Sequence, residues 1–117
     1  MLALLVALAG AAGVLARYGL SSAVHGDALP WMTLAINAVG SFLLGILVVA
    51  HWTSPQLRTT LGVGFLGGFT TFSTFSVQAF LDFEAGEPFR ALLLVLATIV
   101  IGLAAAAAGY YFGRLVT

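Results

Sequence analysis

Residues 62–76 read GVGFLGGFTTFSTFS, a stretch rich in glycine and in hydroxyl side chains. Adjacent glycines weaken a helix, each by about 1 kcal/mol relative to alanine. The threonines and serines that follow can bond the backbone groups that a broken helix sets free. The stretch occupies the middle of an apolar segment, residues 57–81, centred on Phe69. We therefore predict a helix that breaks near its centre, at Gly67-Gly68 and the two threonines after them.

The composition indicates that the solvent of this chain is a lipid bilayer. Of its 117 residues 62% are apolar and 7% are charged, and the mean hydropathy is +1.14. A soluble domain carries about 25% charged residues, so an ordinary cytosolic enzyme is excluded. The net charge of zero argues against nucleic-acid binding. Because the chain has no cysteine, disulfides and thiolate metal sites are excluded as well.

The apolar runs divide the chain into four predicted spans, residues 2–22, 31–52, 57–81 and 89–115. Trp31 and Trp52 lie 21 positions apart, roughly 31 Å at helical rise, which matches the hydrocarbon thickness of a bilayer. The first run is predicted to be a retained span and not a signal peptide. Because the loops are short, neighbouring helices should be antiparallel. We predict an all-α membrane protein, residues 1–117 forming one four-helix domain, with its third helix broken near the midplane.

The four arginines give no orientation in the membrane. Arg58 and Arg114 lie on the side of the N-terminus, whereas Arg17 and Arg90 lie on the other side. This even distribution leaves two interpretations open under the positive-inside rule. Either a weak bias still fixes one orientation, or the chain inserts both ways and pairs head to tail.

Several polar residues lie inside the predicted spans, where apolar side chains would be expected. Thr33, Asn37, Ser41 and Gly45 follow one another at four-residue spacing and so share a helix face. Asn37 could join helices, contributing about 1 kcal/mol, or it could line a polar path. Arg17, roughly 7 Å from its helix end, could snorkel to the interface or, with Asn37, form the entrance of an anion path.

Other residues are predicted to pack helices together. Gly62, Gly64, Gly102 and Gly109 are typical of close helix contacts, and Phe72 and Phe75, which share a face, could be plain packing residues. Thr98 is the only hydroxyl residue between Phe89 and Tyr110. No carboxylate lies inside a span, which disfavours a proton-coupled transporter. No nucleophile–base pair, phosphate loop or metal-ligand cluster occurs, so the chain is not expected to be an enzyme.

Three motifs resemble the signatures of the Fluc (CrcB) family of fluoride channels: GAAGVLARY at 10–18, NAVGSFLLG at 37–45 and GFLGGFTTFSTFS at 64–76. The resemblance covers nearly the whole chain. It implies an antiparallel, dual-topology dimer with two fluoride pathways in lipid, formed by two copies or by paralogous subunits. It also implies a multi-pass protein of the bacterial inner membrane that passively exports cytoplasmic fluoride and confers fluoride resistance.

The resemblance also assigns roles to particular residues. It implies a structural sodium ion at the dimer centre, held by the backbone carbonyls of Gly67 and Thr70. Together with the polar stripe of the second span, it predicts a fluoride path formed by Arg17, Asn37, Ser41, Phe72, Ser73, Thr74, Phe75 and Thr98. The fourth span departs from the family, because Leu94 and Gly102 stand where other members carry polar groups; a partner subunit could supply them.

Two other functions compete with the channel. A small multidrug-resistance-type antiporter would have similar length and possible dual topology, but it needs a midplane carboxylate in the first span, where only Arg17 stands. A non-transporting assembly subunit would explain the packing glycines. It would not explain the polar stripe or the broken third span.

Overall fold

The computed structural model describes residues Met1–Thr117, and it is entirely helical. The elements are α1 (Leu2–Ser22), a 3₁₀ turn (Gly26–Ala28), α2 (Leu29–Val49), α3 (Pro55–Thr59), a π-helical segment (Thr60–Leu66), α4 (Gly67–Phe69), α5 (Phe72–Glu84) and α6 (Pro88–Val116). Three helical stretches are long and apolar enough to cross a membrane, Leu2–Ser22, Gly26–Val49 and Pro88–Val116. The prediction of an all-helical chain is confirmed. The region between α2 and α6 is interrupted and contains no single helix of spanning length.

The surface of the chain is largely apolar. Only 16 of 117 residues are buried, and large side chains such as Leu8, Val63 and Leu103 are exposed. A water-soluble protein would bury most such side chains. The exposed apolar surface therefore matches the bilayer environment that the composition predicts.

The second helix ends earlier than predicted, and a polar cap explains why. Ala50 leaves the helical region with a ψ of 103°, so Trp52 lies in the following turn. The Arg58 guanidinium donates to the Ala50 carbonyl at 3.0 Å and to the Thr53 hydroxyl at 3.1 Å. A cation at this end of a helix also complements the helix dipole. The turn is thus fixed by Arg58.

Glycines set two close helix contacts. A Cβ on Gly13 or Gly68 would collide with the Phe65 or the Gly10 carbonyl, so α1 lies directly against the interrupted region. A Cβ on Gly109 would likewise collide with the Phe42 carbonyl, where α6 meets α2. Small residues permit such approach between membrane helices. These two contacts hold α1 with the interrupted region and α2 with α6.

The four glycines predicted to pack helices together have different surroundings in the structure. Gly64 and Gly109 are packed against neighbouring backbone, as predicted, whereas Gly62 makes only ordinary contacts with Leu44 and Leu47. Gly102 packs against no helix of its own chain, because nothing lies within 4 Å of the position of its missing Cβ. Gly102 instead leaves open space on α6.

Candidate functional site

The interrupted region breaks at two threonines. Thr70 (φ −88°, ψ 159°) and Thr71 (φ −152°, ψ 118°) are extended, between the end of α4 and the start of α5. The predicted break is therefore present, but Gly67 and Gly68 themselves remain helical. The threonine hydroxyls explain the position of the break. The Thr71 hydroxyl caps α5 by accepting from the Thr74 N–H at 3.2 Å. That of Thr70 donates to the Leu66 carbonyl at 2.9 Å.

Asn37 on α2 binds both backbone groups of Thr71. Its Nδ2 donates to the Thr71 carbonyl at 2.9 Å, and its Oδ1 accepts from the Thr71 N–H at 2.8 Å. In a continuous helix this N–H would donate to the carbonyl of Gly67. Asn37 thus joins two segments, as one of the two predictions for it required. Its second Nδ2 hydrogen donates to no protein atom.

Arg17 reaches the same break from α1. Its Nε donates to the Gly68 carbonyl at 3.1 Å, and the contact is half-buried. Arg17 therefore bonds protein backbone and does not only snorkel toward the interface. The break is flanked by an arginine from one helix and an asparagine from another.

A groove of about 320 Å³ runs along the break, between α2 and α6. It brings together five of the predicted path residues, Asn37, Ser41, Phe72, Phe75 and Thr98, with the two predicted sodium ligands, Gly67 and Thr70. Gly40 lets the break approach α2, because a Cβ there would collide with the Thr70 methyl group. Gly102 also lines the groove, so its missing side chain widens it.

Three predicted path residues do not line this groove: Arg17, Ser73 and Thr74. Ser73 and Thr74 lie between Phe72 and Phe75 on α5, and helical periodicity turns them away from the face that the rings share. The Thr71 hydroxyl instead lies 3.1 Å from that of Thr74 and 3.5 Å from that of Ser73. Their part in a fluoride path stays a prediction.

The residues of the polar stripe on α2 have different neighbours in the structure. Each four-residue step turns the position by about 40° around the helix. Asn37 and Ser41 therefore line the groove, whereas a Cβ on Gly45 would collide with the Ala106 carbonyl of α6. Thr33 is buried, and its hydroxyl donates to the Leu29 carbonyl of its own helix at 3.2 Å.

The two phenylalanines differ in burial. Phe72 is 78% exposed and Phe75 is 6% exposed. Their ring centroids lie 5.7 Å apart at an interplanar angle of 68°, an edge-to-face pair. Phe75 belongs to a buried cluster with Ala79 and Leu94. Leu94, where a polar group was expected from the family, is thus a packing residue in this chain.

Two buried polar atoms have no hydrogen-bond partner, the Thr98 hydroxyl and the Gln78 Oε1. Buried polar groups are almost always bonded, so Thr98, a residue that lines the groove, carries a hydroxyl whose hydrogen-bonding capacity no atom of the chain uses. The sequence reasoning missed Gln78. An uncharged amide within an apolar helix was the available signal, the same one that drew attention to Asn37.

The two ends of the molecule differ in charge. The end that holds the loops after α1 and α5 carries Arg90 and all four carboxylates. Arg90 lies 3.5 Å from Asp27 and 3.3 Å from Asp82. The opposite end carries Arg58 and Arg114 and no aspartate or glutamate. One end is thus acidic and the other basic.

Comparison with known proteins gives matches along nearly the whole chain. Residues 4–110 match the family described as CrcB-like protein, Camphor Resistance (CrcB). A fluoride-specific ion channel FluC of Geobacter sulfurreducens is 46% identical, and the match covers 95% of each chain. A protein of the same name from Thermus thermophilus is 45% identical over 94% of this chain and 93% of its own. One from Rhizobium leguminosarum is 44% identical over 92% and 91%.

Proposed function

Because this chain belongs to the CrcB family, we propose that it exports fluoride passively from the cell as an antiparallel dimer. The chain is a fluoride channel and a multi-pass membrane protein, not an enzyme. The groove along the broken helix supports this function most directly, because it combines hydrogen-bond donors with aromatic ring edges. The antiporter alternative finds no support among the relatives, which are named fluoride-specific ion channels.

The donors in the groove suit a small anion. Fluoride is tightly hydrated, so a path for it must replace water with hydrogen-bond donors. Ser41 and Thr98 offer hydroxyls, and Asn37 offers its second amide hydrogen. The Thr98 hydroxyl has no partner within the chain. We assign these three groups to the fluoride path.

The aromatic pair extends the path. The edge of a phenylalanine ring carries partial positive charge, whereas its face repels an anion. Phe72 and Phe75 both line the groove in an edge-to-face pair. We infer that fluoride passes along ring edges between the hydroxyl groups.

The break also has the chemistry of a sodium site. Gly67 and Thr70 both line the groove, and the N–H that would bond the Gly67 carbonyl donates to Asn37 instead. Unbonded carbonyl oxygens are suitable ligands for a hard cation. We propose that two protomers each supply these two carbonyls to one structural sodium ion. Such an ion would raise the electrostatic potential felt by an anion nearby.

The charge distribution favours an antiparallel dimer. In such a dimer the acidic end of one protomer lies beside the basic end of the other, so both faces of the assembly carry similar charge. Because Phe72 is 78% exposed, part of the path is open to the surroundings in one protomer.

We place the dimer in the bacterial inner membrane, where a negative-inside potential drives fluoride out. Fluoride enters as neutral hydrogen fluoride, which dissociates in the cytoplasm, and its export would give fluoride resistance.

The dual topology is tested with a reporter fused to the C-terminus. Because the arginines are evenly distributed between the two sides, we expect reporter signal on both sides of the membrane. A control fusion carrying three additional lysines after Thr117 should report from the cytoplasm alone. If the unmodified fusion reports from one side only, an antiparallel homodimer is excluded and an unlike partner subunit is required.

A further inference from the structure

The carbonyl groups around the break are not equally available. The Leu66 carbonyl accepts from the Thr70 N–H at 3.0 Å. The Gly68 carbonyl accepts from Arg17, and the Thr71 carbonyl accepts from Asn37. No protein donor bonds the carbonyls of Gly67 and Thr70. The Phe69 carbonyl is likewise unbonded, but Phe69 does not line the groove.

The two sides of α4 face different neighbours. A Cβ on Gly68 would collide with the Gly10 carbonyl of α1, whereas a Cβ on Gly67 would meet only the Gly62 carbonyl at 3.8 Å. Gly68 thus lies against α1 and Gly67 lies on the open groove side. Successive residues in a helix are rotated by about 100° about the helix axis. A donor on α1 that holds the Gly68 carbonyl therefore fixes the rotation at which Gly67 presents its own.

We propose that Arg17 is a positioning residue for the sodium site. Its Nε fixes the Gly68 carbonyl toward α1, while Asn37 fixes Thr71 toward α2. These two contacts hold the break from both sides and leave the carbonyls of Gly67 and Thr70 free for the ion. The inference rests on the sodium site proposed above. Arg17 acts through the hydrogen bond of its Nε, not through its charge.

Two substitutions separate the hydrogen bond from the charge. Arg17→Gln is neutral but places an amide nitrogen where arginine has Nε, so the donor is kept. Arg17→Lys keeps the charge but places a methylene group at that position. The readout is the apparent sodium Kd, fitted from the logarithmic rise of the melting temperature of the purified dimer with sodium concentration at constant ionic strength. Arg58→Lys, which alters an arginine bonded to the remote Ala50 carbonyl, is the control.

We expect Arg17→Lys to raise this apparent sodium Kd about tenfold, within the usual range of coupling between two sites. Arg17→Gln should keep an apparent sodium Kd close to that of the wild type. Arg58→Lys should lower the melting temperature measured without sodium but leave the apparent sodium Kd unchanged. The proposal is overturned if the glutamine variant shifts while the lysine variant does not, if both shift equally, or if neither does. A wild-type dimer with no sodium response would overturn the sodium site itself. Fluoride flux through that same dimer would still test the channel separately.

Discussion

Asn37→Asp is expected to lower fluoride flux by about a hundredfold or more, while dimers still form. The amide donates to the Thr71 carbonyl at 2.9 Å, and an ionised carboxylate has no hydrogen to donate. A hydrogen bond between neutral groups contributes about 0.5–1.5 kcal/mol, and leaving the Thr71 carbonyl without a donor costs about 1–3 kcal/mol. The carboxylate also introduces negative charge into the proposed path of an anion. Both effects act in the same direction.

The measurement is fluoride efflux from proteoliposomes, with dimer content determined by cross-linking on the same preparation. Ser41→Ala, a groove substitution that adds no charge, is the matched control and should retain more flux than Asn37→Asp. If Asn37 only joins the helices, dimer content should fall and the surviving dimers should conduct. Aspartate dimers that conduct like wild type would show that Asn37 does not line the path.

Phe72→Ile is expected to lower fluoride flux by about tenfold without loss of dimer. An aliphatic side chain keeps the apolar bulk but removes the polarised ring edge and the edge-to-face contact with Phe75, and such an aromatic pair contributes about 0.5–1.5 kcal/mol. Because Phe72 is 78% exposed in the protomer, its replacement should disturb little packing within the chain. Phe75→Ile should lower flux as well, but it also alters the buried cluster with Ala79 and Leu94. Methionine, which is polarizable, should reduce flux less than isoleucine at either position.

The matched control for the aromatic pair is Phe80→Ile. Phe80 is 60% exposed on the same helix but does not line the groove, so its replacement should leave flux unchanged. A pure packing role predicts that flux follows dimer stability at all three positions. Phe72→Ile dimers that conduct normally would remove the ring edges from the mechanism.

The sequence predicted the break because its cause is local. Adjacent glycines and hydroxyl residues weaken a helix wherever they occur. Its position at Thr70 and Thr71 depends on α2, because Asn37 binds both backbone groups of Thr71. No pattern in one segment could give that contact. The π-helical segment at Thr60–Leu66 was also unforeseen, since no residue pattern distinguishes it from an α-helix.

The candidate site was likewise predicted only in part. Asn37, Ser41, Phe72, Phe75 and Thr98 meet in one groove, as the polar stripe and the family resemblance indicated. Gly102 was predicted to pack against another helix because small residues usually allow close helix contacts. No atom of the chain, however, lies within 4 Å of the position of its missing Cβ. Only the three-dimensional placement of α6 separates it from Gly109, which meets the Phe42 carbonyl.

Fluoride efflux from liposomes that contain the purified protein measures the proposed passive transport itself. Liposomes loaded with potassium fluoride are diluted into fluoride-free buffer, and a potassium ionophore is added to balance the charge. We expect rapid fluoride release with no nucleotide and no proton gradient, while chloride-loaded liposomes release no more chloride than protein-free ones. Fluoride release at the protein-free rate would show that the chain does not conduct fluoride, and equally fast release of chloride would show that it is not selective for fluoride.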